Sequence, residues 1–245
     1  MTAIDRYFST LAETLKRVTD TQGPALEDAA RRIARAFREG RLLYTFGTGH
    51  GHLLALEIFY RAGGAAPVCP ILDEDLMLHI SAAGSTQAER DETMVPKLLE
   101  RYPIGEGDVM IIASNSGRNA VPVLMAAEAR HRGAYVIALT SMAHSSSVSG
   151  RNPLGLRLFE TADLVLDNGG VPGDAAVTFP DGSVAGPTST AVGAAMLQAI
   201  LCRVREISLE EGKPADFFVS SNIDGGDAIN EKLIEKYADR IPGLK

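Results

Sequence analysis

The chain has 245 residues, of which 45% are apolar and 22% are charged, a balance typical of a globular protein and not of a disordered one. A net charge of −7 argues against a polyanionic partner such as nucleic acid. The first 15 residues include Asp5 and Glu13 and show no secretory pattern, and no apolar run is long enough to span a membrane. We therefore expect a cytoplasmic protein with no nucleic-acid or membrane partner.

Two helices are predicted before the first strand, because apolar residues recur at helical spacing from Ile4 to Val18 and from Pro24 to about Arg38. Strands and helices then alternate, which is typical of an α/β fold with a parallel sheet between two helical layers. The predicted strands are Leu42–Phe46, Pro67–Leu72, Val109–Ser114, Tyr135–Thr140 and Leu164–Leu166. The predicted helices are about His52–Ala62, Glu89–Arg101, Val121–Arg132 and Thr188–Glu211.

The chain is predicted to form one domain, with helices in residues 1–40, an α/β core in 41–212 and a tail in 213–245. Residues Gly169–Pro187 form a long excursion rich in Gly, Pro and Asp, and loops of that length are usually functional or mobile. The tail ends in a predicted helix at Asp227–Tyr237. Cys69 and Cys202 lie in apolar runs, which predicts two buried thiols and no disulfide framework.

A glycine-rich turn, Gly47-Thr48-Gly49-His50-Gly51-His52, follows the first predicted strand. Its G-x-G-x-G-x pattern differs from the G-x-G-x-x-G of dinucleotide-binding proteins. In those proteins an acid that binds the ribose follows the glycine turn by ~20 residues, and Asp73 lies farther from the turn than that. A dinucleotide site is therefore only weakly indicated.

A serine-rich turn, Ser114-Asn115-Ser116-Gly117-Arg118-Asn119, lies between the third predicted strand and a helix. Free backbone N–H groups and the positive end of the helix dipole attract anions at such a position, and Ser and Asn side chains add donors. An ordinary helix cap is the alternative, but a cap needs only one such residue. Both turns are expected at the carboxyl ends of the strands, where α/β sheets bind ligands, so the sequence favours one phosphate-containing ligand.

These two turns, with Thr140-Ser141, Ala162-Asp163 and Thr188-Ser189-Thr190, resemble the sugar isomerase (SIS) domain from about Arg41 to Glu211. The branch that they resemble is one of uncharacterised phosphosugar isomerase-like proteins, related to phosphoheptose isomerase and N-acetylmuramic acid 6-phosphate etherase. The resemblance implies a flavodoxin-like, three-layer α/β/α fold with a five-stranded parallel sheet. It also implies a phosphosugar ligand and a homodimer or homotetramer whose sites are completed across subunits.

The resemblance places Ser114, Ser116 and Asn119 at phosphate-loop positions and Thr48 and Gly51 in the first turn, where Gly51 replaces a serine common in the family. The full predicted phosphosugar-binding set is Thr48, Gly49, Gly51, Ser114, Asn115, Ser116, Gly117, Arg118, Asn119, Thr140 and Ser141.

The candidate catalytic residues are acids and histidines near the two turns. Glu57 is predicted to point into the crevice as a general base, although an i,i+4 ion pair with Arg61 would explain it equally well. His50 and His52 lie in the glycine turn itself. Glu89 resembles an acid of the etherase branch, but it also belongs to a charged run that solvent would accommodate.

His144 is a further candidate for substrate binding, unless the hydroxyl-rich residues around it only cap a helix. The related phosphoheptose isomerases hold zinc through a His and a Glu four residues later. The matching positions here are Glu57 and Tyr60-Arg61, so we expect no metal and no cofactor. A site built from His50, His52 and Glu57 is the less favoured alternative.

The sequence thus predicts an aldose–ketose sugar-phosphate isomerase with Glu57 as the base. A lyase or etherase acting on an amino-sugar phosphate would use the same phosphate site and require Glu89. A non-catalytic sensor is the third alternative, although the acidic segment before the first strand is too short to resemble a DNA-binding domain.

Overall fold

The computed structural model describes residues 1–244. Its centre is a five-stranded, fully parallel sheet in the order β2-β1-β3-β4-β5, which is the flavodoxin-like order. The predicted α/β fold with a five-stranded parallel sheet is confirmed. The strands are β1 (Leu43–Gly47), β2 (Val68–Ile71), β3 (Val109–Ala113), β4 (Tyr135–Thr140) and β5 (Leu164–Asp167).

Helices cover both faces of the sheet, so neighbouring residues of each strand enter two different cores. In β3, Met110 and Ile112 pack on one face, while Val109 and Ile111 pack on the other. The helices are α1 (Ala3–Thr21), α2 (Gly23–Arg38), α3 (Gly51–Glu57), α4 (Ala82–Ala88), α5 (Met94–Arg101), α6 (Ala120–His131), α7 (Met142–Ser146), α8 (Leu158–Thr161), α9 (Ser189–Glu210) and α10 (Gly226–Tyr237). In the described part of the chain, no helix is long and apolar enough to cross a membrane.

Two predicted helices were wrong in their bounds. The helix expected at His52–Ala62 ends at Glu57, and Tyr60 shortly after it has a φ of +41°, which no helix accommodates. The helix expected at Glu89–Arg101 begins at Met94 instead, because Pro96 lacks an N–H and is tolerated only in a first helical turn. A separate helix, α4, ends just before Glu89.

The excursion at Gly169–Pro187 contains a small antiparallel hairpin, β6 (Val177–Thr178) and β7 (Val184–Ala185). The tail returns to the body of the molecule, where Phe217 bridges to Ala65 and Ile241 enters the core. Cys69 is buried as predicted, but Cys202 is exposed, because it lies on the solvent side of the amphipathic α9. The prediction of a second buried thiol was therefore wrong.

Candidate functional site

The site lies where the carboxyl ends of β1 and β3 meet. Gly47 and Ala113 are neighbours in the parallel register, so the glycine and serine turns that follow them begin side by side. They border a cleft of about 470 Å³, which extends to the segments after β4 and β5. The residues of the two turns that line it are Thr48, Gly49, His50, Gly51, Ser114, Asn115, Ser116 and Asn119.

The serine turn is held in shape by its neighbours. The Ser114 hydroxyl accepts a hydrogen bond from the Gly117 N–H (3.2 Å), and Ser145 donates to the Ser116 carbonyl (2.8 Å). Gly117 has a φ of +57°, and a Cβ there would lie 2.8 Å from the Ser145 hydroxyl. Gly117 therefore shapes the turn, and neither Gly117 nor Arg118 is among the residues that line the cleft.

Asn119 occupies the N-cap position of α6 but makes no side-chain capping hydrogen bond. Its amide nitrogen instead donates to a carboxylate oxygen of Glu89. This arrangement argues against the ordinary-cap interpretation of the serine turn, since the residue at the cap position is committed elsewhere.

The glycine turn requires a glycine at position 51. A Cβ at Gly51 would lie 2.6 Å from the carbonyl oxygen of Ala113, in the adjacent strand, so the backbones approach too closely for a side chain. His50 is exposed at the cleft. His52 is buried with Nδ1 against the Gly49 carbonyl, and it does not line the cleft.

Of the two predicted catalytic acids, Glu89 is the one that lines the cleft. One carboxylate oxygen accepts a hydrogen bond from the Thr48 hydroxyl (2.8 Å), and the other accepts from Asn119. Burial raises the pKa of Glu89, while the Thr48 hydrogen bond and the charges of Arg90 and Arg151 oppose this shift. Glu89 is therefore not simply a solvent-exposed member of the charged run, which was the alternative interpretation of the sequence.

Arg151 is a site residue that the sequence did not reveal. Its Nε and Nη2 donate to the Asn119 side-chain oxygen at 3.0 and 2.6 Å. Because this fixes which end of the amide faces Arg151, the nitrogen end must face Glu89. Arg151 is brought there by its backbone N–H, which donates to the Arg118 carbonyl. No local motif around Arg151 signals this long-range contact.

Glu57 does not point into the cleft, contrary to expectation. Its carboxylate accepts hydrogen bonds from Arg61 and from Gln198 on α9 (3.1 Å). Glu57 is the last residue of α3, and its side chain lies between Arg61 and α9 and does not line the cleft. The i,i+4 ion pair is the alternative that the structure favours.

After β4 and β5, the residues that line the cleft are not the ones predicted from the sequence, Thr140 and Ser141. Thr140 and Ser141 are buried and donate to the backbone carbonyls of Asn115 (3.1 Å) and Gly170 (2.7 Å), so they support the cleft without lining it. The residues of these segments that line it include His144, Asn168, Asp174, Ser189 and Thr190.

The residues present do not fit a zinc site of the phosphoheptose isomerase kind. Within residues 1–244, no three His, Cys, Asp or Glu side chains are grouped closely enough to hold a metal ion. In particular, His52 is buried against Gly49, and Glu57 is committed to Arg61 and Gln198.

Comparison with known proteins gives the family. Residues 6–141 match the SIS domain. A UPF0309 protein of Geobacillus thermodenitrificans is 44% identical over 242 residues, which cover 98% of this chain and 97% of that protein. The chain belongs to the SIS domain family.

Two solved structures show the same SIS fold. A phosphoheptose isomerase from Francisella tularensis matches with a TM-score of 0.55 at 16% identity, over 84% of this chain and all of the other. The Vibrio vulnificus NanR protein complexed with ManNAc-6P matches with a TM-score of 0.51 at 18% identity, over 99% of this chain and 71% of NanR.

Proposed function

We propose that this SIS protein binds a phosphosugar in the cleft and interconverts its aldose and ketose forms with Glu89 as the general base. The observation that carries the proposal is that a partly buried carboxylate with a raised pKa shares one cleft with the serine turn. A base of this kind is best suited to catalysis when its pKa approaches the working pH.

The serine turn would bind the phosphate. The hydroxyls of Ser114 and Ser116, which line the cleft, supply donors to an anion. The first turn of α6 contributes less than the sequence suggested, because the Val121 N–H donates to the Glu89 carbonyl and Pro122 has no N–H. A fixed phosphate holds the carbonyl end of the sugar at a constant distance from the base. Binding energy is thereby used to orient the reacting carbons.

Glu89 would then remove the proton from the carbon next to the carbonyl. The C–H electron pair forms the carbon–carbon double bond of an enediolate, while the carbonyl π electrons move to the carbonyl oxygen. A proton then passes from the neighbouring hydroxyl oxygen to that oxygen, the carbonyl re-forms at the neighbouring position, and Glu89 returns its proton to the former carbonyl carbon, so atoms and charge balance. Thr48 and Asn119 hold the carboxylate by one hydrogen bond to each oxygen, which leaves lone pairs for the proton. His50, exposed at the cleft, would assist opening of the sugar ring.

The structural relatives support a phosphosugar ligand at the level of the family. One is a phosphoheptose isomerase, and another, NanR, was solved with ManNAc-6P. Assembly into a homodimer or homotetramer, and a cytoplasmic location, remain predictions of the sequence. Light scattering on a sizing column measures the assembly.

A lyase or etherase acting on an amino-sugar phosphate is the second candidate. The raised pKa of Glu89 favours it as well, because a carboxyl group that keeps its proton can protonate a leaving group. The two reactions differ in their products: isomerisation conserves the mass of the sugar phosphate, whereas elimination releases a fragment.

Thermal unfolding against a panel of aldose, ketose and amino-sugar phosphates, each paired with its unphosphorylated sugar, tests the binding step. A ligand at a hundred times its dissociation constant stabilises the fold by about 2.7 kcal/mol. We expect stabilisation by phosphorylated members only. Equal stabilisation by the unphosphorylated sugars, or none by any phosphate, would contradict the proposal.

The stabilising sugar phosphate is then incubated with the enzyme in deuterium oxide and analysed by NMR and mass spectrometry. An isomerase yields the aldose–ketose pair with deuterium at the exchanging carbon. Binding with no exchange and no product would identify a sensor in place of an enzyme.

A further inference from the structure

Two side-chain nitrogens at the β4 side of the cleft are buried and have no hydrogen-bond partner. They are Nδ2 of Asn115 and Nδ1 of His144. Both residues line the cleft. Asn115 is bonded to Asn168 after β5, whereas Glu89 is bonded to Thr48 after β1, on the other side of β3 in the sheet. Buried polar groups are nearly always paired in native proteins, so two orphaned nitrogens in one cleft indicate a missing partner.

The orientation of Asn115 is fixed by its neighbours. Its side-chain oxygen accepts a hydrogen bond from the Asn168 amide (2.9 Å), and the Asn168 oxygen accepts from the Gly170 N–H (2.9 Å). Because this chain determines which end of the Asn115 amide is oxygen, its free end is a donor. The absent partner of Asn115 must therefore be an acceptor.

His144 is held against the serine turn by the short helix that carries it. Ser141 caps the helix by accepting from the His144 N–H (3.1 Å), and the next residue, Ser145, donates to the Ser116 carbonyl. The Asn115 carbonyl in turn accepts from the Ser141 N–H. The two orphaned nitrogens thus belong to segments that are bonded directly to each other.

The side chains of the cleft would hold an anion through hydrogen bonds. The acids that line it are Glu89 and Asp174, and Asp174 is occupied with the start of α9, where it accepts from Thr188 and Ser189. No Lys or Arg of the described chain lines the cleft, so the side-chain donors there include the rings of His50 and His144 and the hydroxyls of Ser114 and Ser116. Next to the serine turn, an acceptor that suits both free nitrogens is a phosphate oxygen.

We propose that Asn115 Nδ2 and His144 Nδ1, with a proton on Nδ1, bind the phosphoryl group of the ligand together with the serine turn. The inference rests on the proposed phosphosugar-binding function and adds to it a second wall of the phosphate subsite, contributed by α7. The phosphate then lies between the serine turn and α7, which leaves the Glu89 side of the cleft for the carbon skeleton.

The test measures the affinity of inorganic phosphate by calorimetry for the wild type and for the single variants Asn115→Ala, His144→Ala and Ser116→Ala. Chloride at matched ionic strength is the blank. The matched controls are Asn222→Ala and His131→Ala, which change the same residue types at exposed positions outside the cleft. Circular dichroism and thermal unfolding establish that each variant is folded.

We expect each of the three cleft variants to weaken phosphate binding about tenfold or more, because a charge-assisted hydrogen bond is lost, and the controls to match the wild type. In ¹⁵N-histidine-labelled protein, phosphate should also shift the His144 ring resonances, assigned with His144→Ala.

Weakened binding in Ser116→Ala alone would overturn this subsite while leaving the proposed function in place, and would assign the orphaned nitrogens to bound water. A wild type that does not bind phosphate would overturn both. A misfolded His144→Ala is replaced by His144→Phe, which keeps a ring and removes both nitrogens.

Discussion

The two ends of the cleft differ in how completely their polar groups are paired. At one end, both oxygens of Glu89 accept hydrogen bonds, and Arg151 fixes the amide that serves one of them. At the other end, Asn115 and His144 each keep a buried nitrogen without a partner. Groups that must act on a substrate need a fixed position before it arrives, whereas groups that bind a ligand gain their partner from it.

The largest effect is expected from Glu89→Gln, which tests whether the Glu89 end of the cleft acts on the substrate. We expect turnover of the bound sugar phosphate to fall by about 10²–10⁴-fold, because an amide cannot accept the proton. Binding and thermal stability should change little, since the amide keeps the shape of the side chain. The matched control is Glu57→Gln, which alters an acid bonded to Arg61 and Gln198, and turnover should stay near the wild-type rate. The reverse pattern would return the role of base to Glu57.

A second comparison is between Asn119→Ala and His144→Ala without ligand. Asn119→Ala should lower the free energy of unfolding by about 1–3 kcal/mol, because Glu89 and Arg151 both lose a partner. His144→Ala should cost less than about 1 kcal/mol, since the buried nitrogen that it removes is unpaired. Urea unfolding monitored by circular dichroism measures both. Equal losses of unfolding free energy in the two variants would mean that Asn119 and His144 are equally well hydrogen-bonded in the unliganded protein.

Variants of Arg151 test how the residues around Glu89 set its pKa. Arg151→Met should raise the pKa of Glu89 further, because a nearby positive charge that favours the carboxylate is removed. Arg151→Lys keeps the charge but loses the two-nitrogen contact with Asn119, so its effect on the pKa should be smaller. Titration of ¹³C-labelled glutamate carboxyls, with Glu89 assigned by Glu89→Gln, reports the values. An unchanged pKa in Arg151→Met would remove Arg151 from the site.

The smallest expected effect is on the pH dependence of stability. The pKa of folded Glu89 lies above its ordinary value of 4.5, so the folded state holds this proton more tightly than the unfolded state. The contribution of Glu89 is therefore fully present below pH 4.5 and is lost as pH rises through the folded pKa. Relative to Glu89→Gln, the wild type should lose stability over that interval. A constant difference between the two proteins would contradict the raised pKa.

The strands could be predicted from the sequence because a parallel sheet covered on both faces needs continuous apolar runs, and β3 and β4 show them clearly. The serine turn could also be predicted, since its residues are consecutive in the sequence. The direction of the Glu57 side chain could not be predicted, because it depends on how α3 packs against α9, where the carboxylate meets Gln198. Arg151 could not be found, because its contact with Asn119 depends on how the segment after α7 folds back over the serine turn.

The separation of the bonded residues along the chain also bears on the order of folding. The partners of Glu89 lie 41 and 30 residues away, and Asn168, which orients Asn115 in the phosphate subsite, lies 53 residues from it. Distant contacts form only after the entropy of closing long loops has been overcome. During refolding, we therefore expect phosphate binding and sugar turnover to return together, once these loops have closed.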